Sequence, residues 1–385
     1  MPLNVLIIPD KFKGTLGASA AAEAIARGWR KVRPADKLGL LPMSDGGDGF
    51  GEVTSKLLEA KARQVQTVDA AHRRCAAQWW WEPRTRTAII ESAKVIGLAM
   101  LPPRKFHPFE LDTFGLGLVV RAAARQGAKR LLIGIGGSAT NDGGFGLARA
   151  LGWKFFDRQG ELIERWTGLH RLAEVQRPAT ALEFDEVIVA VDVRNPLLGA
   201  LGATRVYGPQ KGLAPNELKS AEACLRQMAR VVAQGFGVPA SAGPRRLQAE
   251  LQTFPGTGAA GGLGFGLLAF LNGRLEPGLQ LFSRYAKLNQ RLRAADLVIT
   301  AEGCLDASTF MGKGVGEIAR CCREMKRPCI ALAGATAASA KLKAAFQKTA
   351  ALTDLTTPQR AKEKAAYWLE QLSKDVASDF GAMAR

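Results

Sequence analysis

The sequence predicts an α/β protein of two domains: a Rossmann-like, doubly wound parallel sheet with a second α/β domain inserted into it. Three observations predict this. Short apolar runs alternate with helix-forming segments along the 385 residues. Glycine-rich loops follow the apolar runs. A β-rich, aromatic stretch begins after about residue 60, and simple strand–helix units return after about residue 275. The length suits two or three domains. The boundaries are read as 1–60 plus 275–385 for the discontinuous Rossmann-like domain and 61–274 for the inserted domain.

The elements follow in order. NVLIIPD at the N-terminus reads as a strand, KFKGTLG as a loop, and ASAAAEAIARGWRKV as a helix of strong helix formers with helical spacing. A second loop, PMSDGGDGF at 42–50, follows the short apolar stretch Leu38 to Leu41. Both loops carry an aspartate at or just past a strand end, where open α/β sheets bind ligands. QWWWEP at 78–83 reads as a half-buried strand and TAIIE at 87–91 as its neighbour in the β-rich stretch. Further α/β units are read at KRLLIGIGGS, EVIVAVDVRNPL, FPGTGAAGGLGFGLLAFL, ADLVITAEGCLD and PCIALAGAT.

Composition excludes several function classes. A hydrophobic content of 47% and a mean hydropathy near zero describe an ordinary globular enzyme. The first apolar run is too short for a signal sequence, and no stretch approaches the ~20 apolar residues of a membrane span. A cytoplasmic protein without a membrane partner is expected. The net charge of +18 invites a nucleic-acid reading. The basic residues are dispersed, however, with no aromatic-interleaved or helix-turn-helix signature, so a surface attracting anionic substrates is expected instead. Six cysteines lack any C-x-x-C pair and three histidines lack metal-ligand spacing. Free thiols and a carboxylate general base follow.

Residues 134–146, GIGGSATNDGGFG, contain six glycines directly after an apolar run. Such density means that something approaches the backbone closely, and the usual visitor is a phosphate. Gly134, Gly136 and Ala139 match a G-x-G-x-x-A dinucleotide fingerprint, with Asp157 near the expected distance, and Gly256, Gly258 and Gly261 match G-x-G-x-x-G. In the first, Asn141-Asp142-Gly143-Gly144 is poor sequence for the required helix start. In the second, Phe254-Pro255 breaks the required strand. No Walker A sequence occurs. Glycine-flanked loops carry Asp10, Asp45, Asp48, Asp142, Asp192, Glu302 and Asp306, with Lys11, Lys13, Lys211 and Lys313 close by in sequence. Each alone is an ordinary turn or cap residue. Together they supply carboxylates for Mg²⁺ and a base, and cations for phosphate oxygens, as phosphoryl transfer requires.

Taken in order, the loops resemble the type-1 glycerate kinase family. The resemblance runs through PDKFKGTLGASAAAEAIARG, MSDGGDG, IGIGGSATNDGG, VDVRNPLLG, GPQKG, PGTGAAGGLG and DLVITAEGCLD with GKGVGEIAR. It implies transfer of the ATP γ-phosphoryl group to D-glycerate with Mg²⁺, 2-phosphoglycerate as the favoured product, and an active site in the cleft of a two-domain α/β fold. Mapped onto this chain, Asp192, Asp45 and Lys13 are the catalytic candidates, with Asp192 as base or metal ligand and Asp48 as a second metal ligand. Gly136, Gly137, Ser138, Thr140, Asn141, Asn195, Lys211, Asp10, Glu302, Asp306 and Lys313 are candidates for holding phosphate or substrate. A monomer or homodimer is expected.

The chain departs from the family pattern at Cys304, where an arginine is usual, at Met311 in place of a histidine, and at Lys11 in place of a serine. Losing the arginine removes a fixed cation and a bidentate donor. Two alternatives therefore stand beside the kinase: a catalytically impaired binding relative, and a kinase for another small hydroxy acid.

Overall fold

The structure, a computed structural model, describes residues 2–235, 253–310, 314–337 and 340–383. The chain divides into two compact units, residues 1–45 with 279–385, and residues 46–278. The sequence reading placed these divisions at 60/61 and 274/275. The differences have local causes. The helix Phe50–Leu57 belongs with the second unit because Gly51 lies under the Trp80 ring, with no space for a β-carbon between them. Residues 274–277 form a strand that pairs with a strand of the second unit.

The first unit is a five-stranded sheet. Its strands are β1 (Asn4–Pro9), β2 (Lys37–Leu40), β11 (Leu297–Leu305), β12 (Cys329–Thr336) and β13 (Lys348–Ala351), all parallel in the order β13-β12-β11-β1-β2. Val5 to Pro9 are all buried, as a strand covered on both faces demands. The N-terminal helix is Ala18–Arg30, as its alanine content predicts, and it packs closely on Ala365–Met383, where the Ser373 hydroxyl donates to the Ile25 carbonyl at 2.7 Å. Counted in chain order, the strands run 2-1-3-4-5, the flavodoxin-like form of a doubly wound sheet. Its order reverses between β1 and β11, and such a switch point is where these sheets bind ligands.

The second unit holds a mixed six-stranded sheet. Strands β3 (Lys61–Val68) and β4 (Arg74–Glu82) are antiparallel, as is β4 with β5 (Thr87–Glu91). Strands β5, β6 (Arg130–Gly134), β9 (Glu186–Val191) and β10 (Arg274–Pro277) run parallel, and the whole order is β10-β9-β6-β5-β4-β3. The strand order advances in one direction, so this sheet is not doubly wound. A separate hairpin joins β7 (Lys154–Asp157) and β8 (Leu172–Gln176).

The tryptophan run differs from the half-buried strand expected. Trp79, Trp80 and Trp81 are all buried, because the two faces of β4 are both covered. Trp80 lies over the Phe50–Leu57 helix, while Trp79 and Trp81 meet edge to face in the main core of the unit.

Candidate active site

In the second unit, most of the loop after β6 is packed closely against neighbouring segments. A β-carbon added at Gly136 would lie 2.6 Å from the Gly47 Cα, and one at Gly144 2.7 Å from the Gly266 Cα. Gly134, Gly143 and Gly146 are similarly crowded by Phe50, Met228 and Phe114. The close approach that the glycine content signals is therefore largely made by the chain's own neighbouring segments. Gly137 is different: it is exposed, has φ of +75°, and lies with its β-carbon direction 2.6 Å from an Asp48 carboxylate oxygen. That position favours glycine by its left-handed conformation. The loop is tied down by Leu98 N–H donating to the Gly137 carbonyl and by Ala139 N–H donating to the Ile96 carbonyl, each at 2.9 Å.

Beyond Gly137 the loop turns inward. The Ser138 and Thr140 hydroxyls lie 2.9 Å apart, both buried. The Asn141 amide donates to the Thr204 hydroxyl at 3.1 Å, and its buried oxygen has no hydrogen-bond partner among the described residues. Asp142 is wholly buried and accepts from Thr113 N–H (2.9 Å), the Thr113 hydroxyl (2.7 Å), Gly146 N–H (2.9 Å) and Gly144 N–H (3.3 Å). Burial, then the nearby Asp112 charge, push its carboxyl upward against these hydrogen bonds. Asp142 thereby caps the helix Phe145–Ala150, whose N-cap is the left-handed Gly144.

These contacts dispose of the dinucleotide fingerprints. The helix starts at Phe145 rather than at the fingerprint position, and the Asp157 carboxylate is engaged in its own turn by Gln159 N–H and Glu161 N–H, both at 3.0 Å. Gly256 to Gly261 run into the helix Ala259–Leu271 through three left-handed residues, Ala260 to Gly262. A cavity of about 460 Å³ does open in this unit, but among Lys129, Trp153, Arg177 and Asn272, beside the N-terminal ends of β6 and β9. None of the candidate residues lines it.

Asp192 is the first residue after β9 and is exposed. Asn195, in the same loop, has both ends of its amide engaged: it donates to the Leu201 carbonyl at 2.8 Å and accepts from the Tyr207 hydroxyl at 2.6 Å. Burial and then the Asp192 charge push the Tyr207 phenol up to about 12. Lys211 closes the helix Ala203–Lys211. It is 8% exposed, and its ammonium donates to the Thr140 carbonyl at 2.6 Å. Burial brings it down to about 7, opposed by the Asp142 charge. The sequence reading placed Lys211 among cations for phosphate; in the fold its ammonium lies behind the loop.

In the first unit, carboxylates gather at the switch point of the sheet. Asp10 follows β1, its N–H donating to the Ala301 carbonyl of β11 at 2.7 Å. Burial, then the charge of Asp45, push the Asp10 carboxyl up to about 7, with Lys11 opposing and Glu302 adding. Glu302 is buried in β11 and accepts from the Thr309 hydroxyl at 2.6 Å, which in turn accepts from Asp306 N–H at 3.2 Å. Lys13 is exposed on the tight turn closed by Phe12 and Leu16, its backbone nitrogen 3.4 Å from the β-carbon direction of Gly303. Cys304 is exposed in β11. Lys313 lies outside the described residues.

The raised Asp10 carboxyl has a measurable consequence. Its pKa stands above the ordinary 3.8, so its contribution to stability is present below about pH 4 and is lost as the pH rises through about 7. Urea unfolding at pH 5 and pH 8 is expected to show a larger loss of stability for the wild type than for Asp10→Asn. Equal pH slopes for the two proteins would show that Asp10 does not titrate in that window.

A sequence model of the glycerate kinase family matches residues 5–381. The chain belongs to the glycerate kinase family. It is 35% identical over 334 residues to a glycerate kinase of Halalkalibacterium halodurans, and 32% identical over 335 residues to the glycerate 2-kinase of Escherichia coli K12. Each match covers 86% of this chain and 85% of the relative. The solved structure described as "Crystal structure of putative glycerate kinase 2 from Salmonella typhimurium LT2" covers all of both chains with a TM-score of 0.81 at 30% identity.

Within this family member, sequence reasoning missed three site-building residues. Glu91, at the end of β5, is buried and accepts from Gly49 N–H at 3.1 Å and Gly51 N–H at 2.9 Å, holding the Asp48 loop to the start of its helix. Thr113 donates to Asp142 and accepts from Leu147 N–H at 2.8 Å. Tyr207 holds Asn195. For Glu91 a signal existed: a carboxylate closing the apolar run TAIIE, the strand-end pattern that singled out Asp10 and Asp192.

Proposed function

We propose that the chain transfers the γ-phosphoryl group of ATP to D-glycerate, forming 2-phosphoglycerate and ADP. The observation that carries this reading is the placement of Asp192, exposed at the C-terminal end of β9, next in the sheet to β6 and its glycine loop. The name of the Escherichia coli relative, glycerate 2-kinase, supports the choice of hydroxyl.

In this reading the 2-hydroxyl oxygen of D-glycerate attacks the γ-phosphorus, the bond from that phosphorus to the β,γ-bridging oxygen breaks, and Asp192 takes the hydroxyl proton. Gly136 and Gly137 form the outer rim of the cradle, while Ser138, Thr140, Asn141 and Asn195 shape it from within. In the first unit Lys13 and Asp45 are the catalytic candidates, Lys13 as a cation for phosphate oxygens, and Asp10, Glu302 and Asp306 are candidates for holding substrate. Among the described residues no group of three or more His, Cys, Asp or Glu side chains could hold a metal ion. Mg²⁺ is expected to arrive on the nucleotide, where it takes one or two carboxylates and the phosphates. Asp48 would hold it, leaving Asp192 for the proton, and the ion would neutralise charge on the β- and γ-phosphates.

Purified protein with ATP, Mg²⁺ and D-glycerate is expected to release ADP in a coupled assay. A folded, ATP-binding protein that releases none contradicts the reading. The exposed Cys304, standing where the family commonly has arginine, makes a panel of other small hydroxy acids the natural companion experiment.

A further inference from the structure

Three side chains on one face of the Ala203–Lys211 helix reach two parts of the second unit's candidate site, the Thr140–Asn141 turn and Asn195. Thr204, Tyr207 and Lys211 have the i, i+3, i+7 spacing that aligns residues along a helix. Thr204 accepts from Asn141, Tyr207 donates to Asn195, and Lys211 donates to the Thr140 carbonyl. Thr140, Asn141 and Thr204 are fully buried, and Lys211 nearly so. The left-handed Gly212 ends the helix directly after Lys211, and Gly208 leaves room for Leu213, whose side chain would stand 2.9 Å from a β-carbon there. The GPQKG segment is thus the last turn of a strut. Its lysine is spent on a backbone carbonyl inside the protein.

We propose that Tyr207 and Lys211 are positioning residues: through one helix face they hold the Asp192–Asn195 loop and the Thr140–Asn141 turn at a fixed separation, and neither touches substrate. The kinetic part of this proposal rests on the kinase reading. The structural part does not. Tyr207 acts on Asp192 through Asn195, whose amide it orients from one side while the Leu201 carbonyl holds the other. Lys211 acts on Asn141 and Ser138 through the backbone between them. A misplacement of about 1 Å in such a site costs on the order of 100-fold in rate.

The test combines kinetics with hydrogen exchange on ligand-free protein. Tyr207→Phe is expected to lower kcat about 10-fold, the worth of one oriented hydrogen bond, and Lys211→Met about 100-fold. KM for ATP and for D-glycerate is expected to move by less than about three-fold in both. In the absence of ligand, both variants are expected to exchange faster in residues 138–144 and 192–199 while the strands keep wild-type protection. If KM rises about ten-fold or more and exchange in those segments is unchanged, Lys211 contacts substrate and the proposal is overturned. Should Lys211→Met fail to fold, Tyr207→Phe decides, since it removes a single oxygen. If the wild type does not turn over D-glycerate, the kinase reading fails separately, and unchanged exchange in both segments alone overturns the positioning role.

Discussion

Replacing Asp192 by asparagine is expected to lower kcat by about 100-fold or more, the range for a lost proton acceptor at the reacting atom. The substitution preserves shape, removes the charge and the capacity to take a proton, and replaces one acceptor oxygen with an N–H donor. Asp192 is exposed, and it is the first residue beyond β9, so the strand itself is left intact. Stability is therefore expected to stay within about 0.5 kcal/mol of the wild type, as for surface substitutions. Steady-state kinetics beside a urea melt check both statements. Unchanged turnover removes Asp192 from the mechanism, and a large loss of stability would reassign it to the fold.

The second large effect is one of stability. Asp142→Ala is expected to destabilise the protein by about 3–5 kcal/mol, as for breaking a buried charged network. Four donor groups, two from Thr113 and one each from Gly144 and Gly146, lose their acceptor at once in a place water does not reach. The buried Lys211 also loses the nearby negative charge that opposes its downward shift. Asn at this position restores little, because its amide nitrogen must face N–H donors on one side. Urea unfolding of Asp142→Ala and Asp142→Asn tests this. A loss below about 1 kcal/mol in both would show that the four contacts are dispensable.

Much of the fold was legible in the sequence because its signals are local. β1, β9, β11 and β12 are continuous apolar runs closed by Asp, Gly or Pro, and the Ala18–Arg30 helix is written in alanine. The positions of Asp10 and Asp192 just past strand ends were legible for the same reason, whereas Glu302, read as a loop residue, lies inside β11. What could not be read depends on residues far apart in the chain. The burial of Asp142 is made by Thr113, 29 residues earlier, and that of Lys211 by Thr140, 71 residues earlier. A lysine between glycines looks exposed, and only the helix face it shares with Thr204 and Tyr207 turns it inward. Likewise the density of glycines at 134–146 signalled close approach correctly, but Gly47, Phe50 and Gly266 are among the groups that make it.

Asp142 and Asp192 separate two meanings of an aspartate in a glycine-rich loop. Asp142 has its carboxylate surrounded by N–H and O–H donors of the protein and serves the fold. Asp192 stands exposed at a strand end with Tyr207 and Asn195 arranged near it, and is the residue proposed to take the proton. Spacing alone does not distinguish them; burial and hydrogen-bond partners do.

The central claim, phosphoryl transfer to the 2-hydroxyl of D-glycerate, is tested most directly by NMR of the product formed from ATP, Mg²⁺ and D-glycerate. The account predicts a phosphoester whose phosphorus couples to the proton on C2. Phosphorus on the C3 oxygen, or no phosphoester from folded protein that binds ATP, would contradict it.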